Sequence, residues 1–251
     1  MEIVGICVIK NEDIYIDRVL KNIVSFCDKV RVIDNCSTDS TVPIVEQFLE
    51  DHPNVSLESI QDISMSHDLV QEYVGSDTWV FCVDGDEIYD PGGLERLKFL
   101  MEDGKCQKYW MLRGYFYHLI SLDIAEKQAV GYMAPPAKDP NKLYNFSLLE
   151  SWPIDREVPV GHCMTHKFKN PKYNSYNLPK KRLLYNEFGW DSCPLRCVHT
   201  RMLKRSSREE YDTFINARLN ISNVLHNKPH NFREKYRIGK ERKKDVSQFF
   251  V

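Results

Sequence analysis

The first part of the chain alternates between segments with the pattern of buried strands and segments with the pattern of amphipathic helices. Strands are predicted at Ile3–Ile9, Val30–Ile33, Asn54–Ile60 and Thr78–Val83. Helices are predicted at Asp13–Phe26, from Ser40 or Thr41 onwards, and at Ser66–Tyr73, because each segment gathers its apolar residues on one side. This alternation is typical of the α/β class and predicts a mostly parallel sheet with helices on both faces.

The second part of the chain is less regular. We expect an aromatic strand at Tyr109–Tyr117, loops with short strands in the proline-rich residues 131–180, and a helix at Ser206–Leu225. We expect one domain over residues 1–230, with a nucleotide-binding half (1–105) and an acceptor-binding half (106–230). Residues 231–251 are predicted to form a basic, solvated C-terminal tail.

Charge and composition exclude several classes of protein. The net charge of −2 over 251 residues gives no reason to expect nucleic acid as a partner. No apolar run reaches the roughly 18 residues of a membrane-spanning helix, so no transmembrane segment is expected. The chain opens directly on a predicted strand, and several of its 8 cysteines stand in apolar runs. We therefore expect reduced thiols and a cytoplasmic location.

The sequence lacks the glycine-rich loops that commonly hold phosphate groups. Lys10-Asn11-Glu12-Asp13 follows the first strand where a dinucleotide-binding fold has Gly-x-Gly-x-x-Gly, and no P-loop pattern occurs. If this sheet binds a nucleotide, side chains and a metal ion must balance the phosphate charge.

Three carboxylates follow the fourth predicted strand, in Val83-Asp84-Gly85-Asp86-Glu87. Ligands of open α/β sheets bind at the carboxyl ends of the strands. Asp84 and Asp86 point to the same side of an extended chain, and Gly85 lets the backbone approach a ligand. Such a pair predicts a site for Mn²⁺ or Mg²⁺, which would also hold a diphosphate. The alternative is a polar turn after a strand.

Asp34 ends the second predicted strand and is expected on the same rim of the sheet. A carboxylate in this place can accept a hydrogen bond from a nucleobase N–H. Ser37, Thr38 and Asp39, which follow it, are typical of a turn and a helix cap.

Together, Val8-Ile9-Lys10-Asn11-Glu12, Val32-Ile33-Asp34-Asn35-Cys36-Ser37-Thr38-Asp39 and Val83-Asp84-Gly85-Asp86-Glu87 resemble family 2 glycosyltransferases of the GT-A fold. The order, the spacing and the strand context all match over about the first hundred residues. The resemblance implies a mixed sheet of about seven strands and the transfer of a sugar, with inversion, from a nucleotide-sugar, usually a UDP-sugar. The acceptor would be a glycan or another hydroxyl compound.

The resemblance also implies roles for single residues. Ile9, Asn11 and Glu12 resemble the part of the family that lines the base and ribose, and Asp34 resembles the aspartate that reads the base. Asp84, with Gly85, resembles the aspartate near the ribose and the metal-bound water, and Asp86 resembles the direct metal ligand. Ser66-His67-Asp68 stands where many relatives have Ala-Arg-Asn, which makes His67 a candidate nucleotide contact.

Near the end of the second part, the stretch from His199 to Ser206 resembles the His-x-x-x-x-(Lys/Arg)-Ser pattern of several GT-A relatives. The resemblance predicts that a neutral His199 completes the metal site. Arg201, Lys204 and Arg205 would then balance the charge of the diphosphate. The alternatives are a hydrogen-bonded core histidine and a solvated basic segment.

An inverting transferase needs a general base beside the acceptor hydroxyl. The candidates are Asp191, which follows Trp190, and Asp155, close to Trp152, with Glu157 as a further possibility. Asp191 is favoured, because Trp190 beside it would stack on the face of a sugar. Either tryptophan would offer a surface for a sugar ring, or would belong to the core.

Three alternatives stay open. A zinc site would use Cys193, Cys197 and His199 with His162, Cys163 and His166, although their spacing is not that of a standard zinc site. A sugar-phosphate nucleotidyltransferase would need a glycine- and arginine-bearing loop after the first strand. A non-catalytic module would bind nucleotide and metal without turnover.

Overall fold

The computed structural model describes residues 1–133, 142–153, 159–161, 167–173, 180–209 and 242–250. Within these residues the strands are β1 (Glu2–Ile9), β2 (Lys29–Asp34), β3 (Val55–Ser59), β4 (Thr78–Asp84), β5 (Glu87–Tyr89), β6 (Met111–Arg113), β7 (Tyr115–Ala125), β8 (Gln128–Met133), β9 (Leu143–Asn145), β10 (Leu149–Ser151), β11 (Lys167–Phe168), β12 (Lys181–Leu183), β13 (Arg196–His199) and β14 (Arg242–Asp245). The α-helices are α1 (Ile16–Ile23), α2 (Thr41–Asp51), α3 (Pro91–Glu102) and α4 (Leu184–Glu187), and 3₁₀ helices cover Ile63–Tyr73, Phe146–Leu148, Pro171–Tyr173, Thr200–Met202 and Ser247–Phe249.

The central sheet has seven strands in the order β12-β6-β9-β4-β1-β2-β3. Strands β4, β1, β2 and β3 are parallel neighbours, whereas β9 runs antiparallel between β4 and β6. The predicted α/β class, the mixed and mostly parallel sheet and its seven strands are therefore confirmed.

Side chains that alternate along β1 enter two separate cores. Ile3, Cys7 and Ile9 pack in the cluster that also contains the buried faces of α1, α2 and α3. Val4, Ile6 and Val8 pack in the other cluster, with the 3₁₀ helix Ile63–Tyr73 beside them. Since successive side chains of a strand point to opposite faces, β1 is covered on both sides, as a near-continuous apolar strand requires.

A second sheet, in the order β14-β8-β7-β13-β5, was not expected from the sequence. Strand β13 lies parallel to β7 and antiparallel to β5, so that His199 pairs with His118 on one side and with Glu87 on the other. This sheet carries the second part of the chain to the turn that follows β4. A short ladder of β10 and β11 stands apart from both sheets.

The predicted aromatic strand Tyr109–Tyr117 divides into β6 and β7, which belong to different sheets. The division falls at Gly114, where an added Cβ atom would lie 1.7 Å from the carbonyl oxygen of Leu195. The backbone before β13 passes so close to this point that no larger residue fits.

The predicted solvated tail is wrong for residues 242–250. Strand β14 pairs with β8, and Val246 and Phe249 are fully buried. The side-chain amide of Asn22 also donates a hydrogen bond of 2.9 Å to the carbonyl of Phe249. Apolar residues that follow the basic run therefore anchor this segment.

The predicted helix Ser206–Leu225 begins as a turn at 206–209 and otherwise lies outside the described residues. No helix in the described part of the chain is long and apolar enough to span a membrane.

Candidate active site

The carboxyl ends of β1, β2 and β4 form one rim of the central sheet. Strand β1 lies between the other two, with Val8 paired to Asp84 of β4 and Ile9 paired to Asp34 of β2. Neighbouring strands are about 4.8 Å apart, so the two aspartates stand about 10 Å from each other across the end of β1. The structure thus places both on the predicted rim.

Asp86 is buried directly beyond this rim. Its Oδ2 atom lies 3.0 Å from Nε2 of His199 and 2.9 Å from Nη1 of Arg205. Its carbonyl accepts a hydrogen bond of 2.8 Å from the N–H of Thr200, which fixes the turn against the end of β13. Burial acts to raise the pKa of Asp86, but the hydrogen bond and charge of His199 lower it below its ordinary value. Asp86 is therefore a carboxylate anion held by partners that can carry positive charge.

Glu12, from the loop after β1, lies beside Asp86. An added Cβ atom on Gly85 would lie 2.7 Å from Cγ of Glu12, so glycine is needed for this close approach. Oε1 of Glu12 lies 3.1 Å from Nη1 of Arg205, whereas Oε2 is buried and has no partner among the described residues. Burial, followed by the charge of Asp86, raises the pKa of Glu12 to about 9.

Lys142 holds the other two carboxylates of the turn after β4. Its Nζ atom lies 2.8 Å from Oδ2 of Asp84 and 3.1 Å from Oε1 of Glu87. Burial raises the pKa of Glu87 above its ordinary value, although the charge of Lys142 opposes this shift. Lys142 was not predicted to belong to the site, because a single lysine within the proline-rich residues 131–180 carries no signal of its position.

His199 is oriented by a second histidine, His118, which was not predicted from the sequence either. Nδ1 of His199 lies 2.8 Å from Nδ1 of His118, and both rings are buried. One of the two nitrogens must therefore donate and the other accept. The two histidines meet because β13 pairs with β7, and the periodicity of the sequence does not reveal which residues of two distant strands pair.

The segment from Lys204 to Glu209 folds over the rim. The Ser206 hydroxyl donates to Oδ2 of Asp39 (2.5 Å), and the Ser207 N–H donates to Oδ1 of Asp13 (2.7 Å). These bonds tie the segment to the loops after β1 and β2. Of the three basic residues predicted to meet a diphosphate, Arg205 faces the carboxylates, whereas Arg201 is exposed and Lys204 bonds to the carbonyl of Ser207.

The loops after β1 and β2 are joined through Asn11. This residue has φ +57°, and its side-chain oxygen accepts a hydrogen bond of 2.7 Å from the N–H of Thr38. The Asp34 carboxylate accepts the N–H of Ser37 on both oxygens, each at 3.2 Å. The side chain of Ile9 is buried in the core. Asn11 and Asp34 therefore shape one polar edge of the rim.

The structure does not place His67 at this rim. It is fully buried, and its Nδ1 atom accepts a hydrogen bond of 3.0 Å from the indole of Trp152. Trp152 in turn stacks on Phe146. The prediction of His67 as a nucleotide contact is therefore corrected, since the apolar core fixes this histidine as the acceptor for a buried indole. Trp152 is core and offers no surface to a sugar.

Of the candidate bases, the structure describes only Asp191. Asp191 is exposed next to Trp190, whose carbonyl accepts a hydrogen bond from Arg196 at the first residue of β13. His199 is the last residue of that strand, about 10 Å further along, so Asp191 is not brought to Asp86. Trp190 packs against Phe249 in the core. Asp155 and Glu157 lie outside the described residues.

The donor atoms at Asp86 suit a hard divalent cation that completes its coordination with other ligands. No three His, Cys, Asp or Glu side chains within the described ranges could hold a metal by themselves. Mg²⁺ and Mn²⁺ sites in nucleotide-binding proteins need only one or two protein ligands, because water and phosphate oxygens supply the rest. The buried Oε2 of Glu12 without a partner and the guanidinium of Arg205 between two carboxylates both mark a place for positive charge.

The zinc alternative gains no support from the residues that can be placed. Cys193 is buried, with its sulfur 3.2 Å from the carbonyl oxygen of Leu195, and it forms no metal-holding group with Cys197 and His199. His162, Cys163 and His166 lie outside the described residues.

The model of the family described as "Glycosyl transferase family 2" matches residues 6–169, about two thirds of the chain. No curated protein matches the sequence significantly. Among solved structures, a mannosyltransferase from Pyrobaculum calidifontis in complex with GDP-Man and Mn²⁺ is similar over 94% of this chain and 68% of its own, with 14% identity and a TM-score of 0.49. Mannose-6-phosphate isomerase from Helicobacter pylori is similar over 52% of this chain and 55% of its own, with 11% identity and a TM-score of 0.33. The range matched by the family model contains Asp34, Asp84 and Asp86, and ends before His199 and Arg205.

Proposed function

This chain belongs to glycosyl transferase family 2, and we propose that it moves a sugar, with inversion, from a UDP-sugar to a hydroxyl group of a glycan or another acceptor. The observation that carries this proposal is Asp86, a buried carboxylate held by His199 and Arg205 at the carboxyl end of β4. The ends of β1 and β2 beside it supply the polar rim that a nucleotide requires.

We propose that Asp86 and His199 hold a Mn²⁺ or Mg²⁺ ion. The two side chains already meet at 3.0 Å, and His118 orients the ring of His199 from the far side. A bound ion of this kind neutralises the diphosphate of a donor and stabilises it as a leaving group. Arg205 would then lose its place between Asp86 and Glu12 and become available to a phosphate oxygen, for which arginine has a suitable geometry.

Asp34, Asn11 and Asp84 are proposed to hold the nucleoside. The Asp34 carboxylate keeps acceptor capacity beyond the N–H of Ser37 and would take the N–H of the base, as the family resemblance implies. Asp84 stands about two strand spacings away, a distance that a nucleoside can bridge from base to ribose.

Direct displacement needs a base that removes the proton of the acceptor hydroxyl. Of the carboxylates predicted for this role, Asp191 stands at the wrong end of β13, so we propose Asp155, with Glu157 as the further candidate. The inverting outcome rests on the family resemblance.

The proposal is tested by incubating the protein with UDP-sugars and GDP-sugars in Mn²⁺ and measuring the release of nucleoside diphosphate. We expect release from a UDP-sugar by the wild type and none by Asp86→Asn. Nucleotide binding without any release would instead indicate a non-catalytic module. Release of pyrophosphate from UTP and a sugar phosphate would indicate a nucleotidyltransferase.

A further inference from the structure

Lys142 is a buried lysine at the back of the turn that carries Asp84 and Asp86. Its side chain is 4% exposed. Its carbonyl accepts a hydrogen bond of 2.7 Å from the N–H of Cys82, which fixes its backbone to β4 immediately before the turn. A lysine that deep is costly unless its charge is paired, and here two carboxylates pair it.

Glu87 contacts both Lys142 and the backbone of Asp84. Its Oε1 atom meets Lys142, and its Oε2 atom accepts hydrogen bonds from the N–H of Asp84 (3.1 Å) and from the hydroxyl of Tyr89 (3.2 Å). Both oxygens of Glu87 are therefore engaged. Lys142 and Glu87 together hold the side chain and the backbone of Asp84.

The two aspartates of the turn thus have partners of different kinds. The partners of Asp86 are His199, which can itself bind a metal, and Arg205, which is 32% exposed on a surface segment and can move away. Asp84 pairs with a buried lysine, whose departure would also leave the buried carboxylate of Glu87 uncompensated. A cation that enters the site can therefore replace a partner of Asp86 far more easily than it can replace Lys142 beside Asp84.

We infer that Lys142 is a positioning residue that keeps Asp84 out of the coordination sphere of the metal and in place for the nucleotide. This inference rests on the proposed function, and it adds the residue that makes the two aspartates unequal. Lys142 also reduces the negative charge that an incoming diphosphate meets.

The test compares the wild type with Lys142→Met and with the control Lys21→Met. In the wild type, Lys21 is exposed and pairs with Asp17 on the surface of α1. Binding of Mn²⁺ alone is measured by electron paramagnetic resonance, and binding of UDP and GDP in saturating Mn²⁺ by calorimetry. In Lys142→Met we expect tighter binding of Mn²⁺ alone, because Asp84 becomes a further ligand. We expect nucleotide binding to weaken about 10-fold, the usual size of such indirect effects. Lys21→Met should match the wild type in both.

A second variant keeps the test decisive if Lys142→Met does not fold. Lys142→Met with Glu87→Gln removes one positive and one negative charge together, and Glu87→Gln alone is its control. The same opposite changes are expected in the double variant relative to Glu87→Gln.

If the affinities for metal and nucleotide fall together, or do not change, in a folded variant, Lys142 only supports the fold and the inference is overturned. If the wild type itself binds neither UDP nor GDP in Mn²⁺, the proposed function fails and the inference falls with it. The two failures are therefore distinguishable from the wild-type measurement.

Discussion

Replacement of Arg205 by methionine should destabilise the metal-free protein and yet make it bind Mn²⁺ more tightly. Arg205 donates to Asp86 and to Glu12, and hydrogen bonds to charged groups contribute about 1.5–3 kcal/mol each. Glu12, whose pKa is raised to about 9, already holds a proton near neutral pH and so leaves no uncompensated charge, and Asp86 keeps its bond to His199. After a discount for the partial exposure of Arg205, we expect a loss of about 1–2 kcal/mol in the free energy of unfolding.

Mn²⁺ should reverse this loss, because the ion no longer competes with the guanidinium for Asp86. At 100 times its Kd a ligand adds about 2.7 kcal/mol of stability, so urea unfolding with and without Mn²⁺ resolves the effect. The control is Arg182→Met, which removes a two-bond pair with Glu187 that is separate from Asp86. That variant should lose stability without any gain in metal affinity. Unchanged or weaker binding of Mn²⁺ by Arg205→Met would refute the idea that Arg205 occupies the place of the cation.

Three further changes have defined outcomes. His118→Phe removes the partner of Nδ1 of His199 and should weaken Mn²⁺ binding about 10-fold in calorimetry, with binding at wild-type strength arguing against an orienting role. Gly85→Ala places a Cβ atom 2.7 Å from Glu12 and 2.9 Å from Ile9, so urea unfolding should show a loss of about 1–3 kcal/mol. Because the pKa of Glu12 is raised in the folded protein, the folded state binds its proton more tightly than the unfolded state does. The stability of the wild type should therefore fall as the pH rises from about 4.5 through about 9. Glu12→Gln should remove that part of the decline, and an identical pH profile in the variant would contradict the shift.

The parts of the fold that were predictable are those encoded in local patterns. Strands β1, β2 and β4 follow from runs of buried residues, and α1 follows from Ile16, Val19, Leu20 and Ile23 on one face. Because the strands of a parallel sheet end on a common rim, the positions of Asp34 and Asp84 followed from strand order alone.

The second sheet could not be predicted, because its pairings join residues that are far apart in the chain. His199 meets His118 and Glu87 only through the register of β13, and such contacts leave no periodic trace in the sequence. His67 was predicted to contact the nucleotide from its place in the family pattern, and its contact with Trp152, across 85 positions of the chain, could not be read from the sequence. The basic residues from Arg233 to Lys244 suggested a solvated tail, since the apolar residues that anchor its end follow later.

Metal-dependent nucleotide binding at Asp86 is tested most directly by thermal unfolding with UDP and GDP, in the presence and absence of Mn²⁺. The wild type, Asp86→Asn and the exposed control Asp191→Asn should be compared. We expect a nucleotide with Mn²⁺ to raise the Tm of the wild type and of Asp191→Asn, but not that of Asp86→Asn. An equal rise in Asp86→Asn, or no rise in the wild type with any combination, would contradict the assignment of this rim as the donor site.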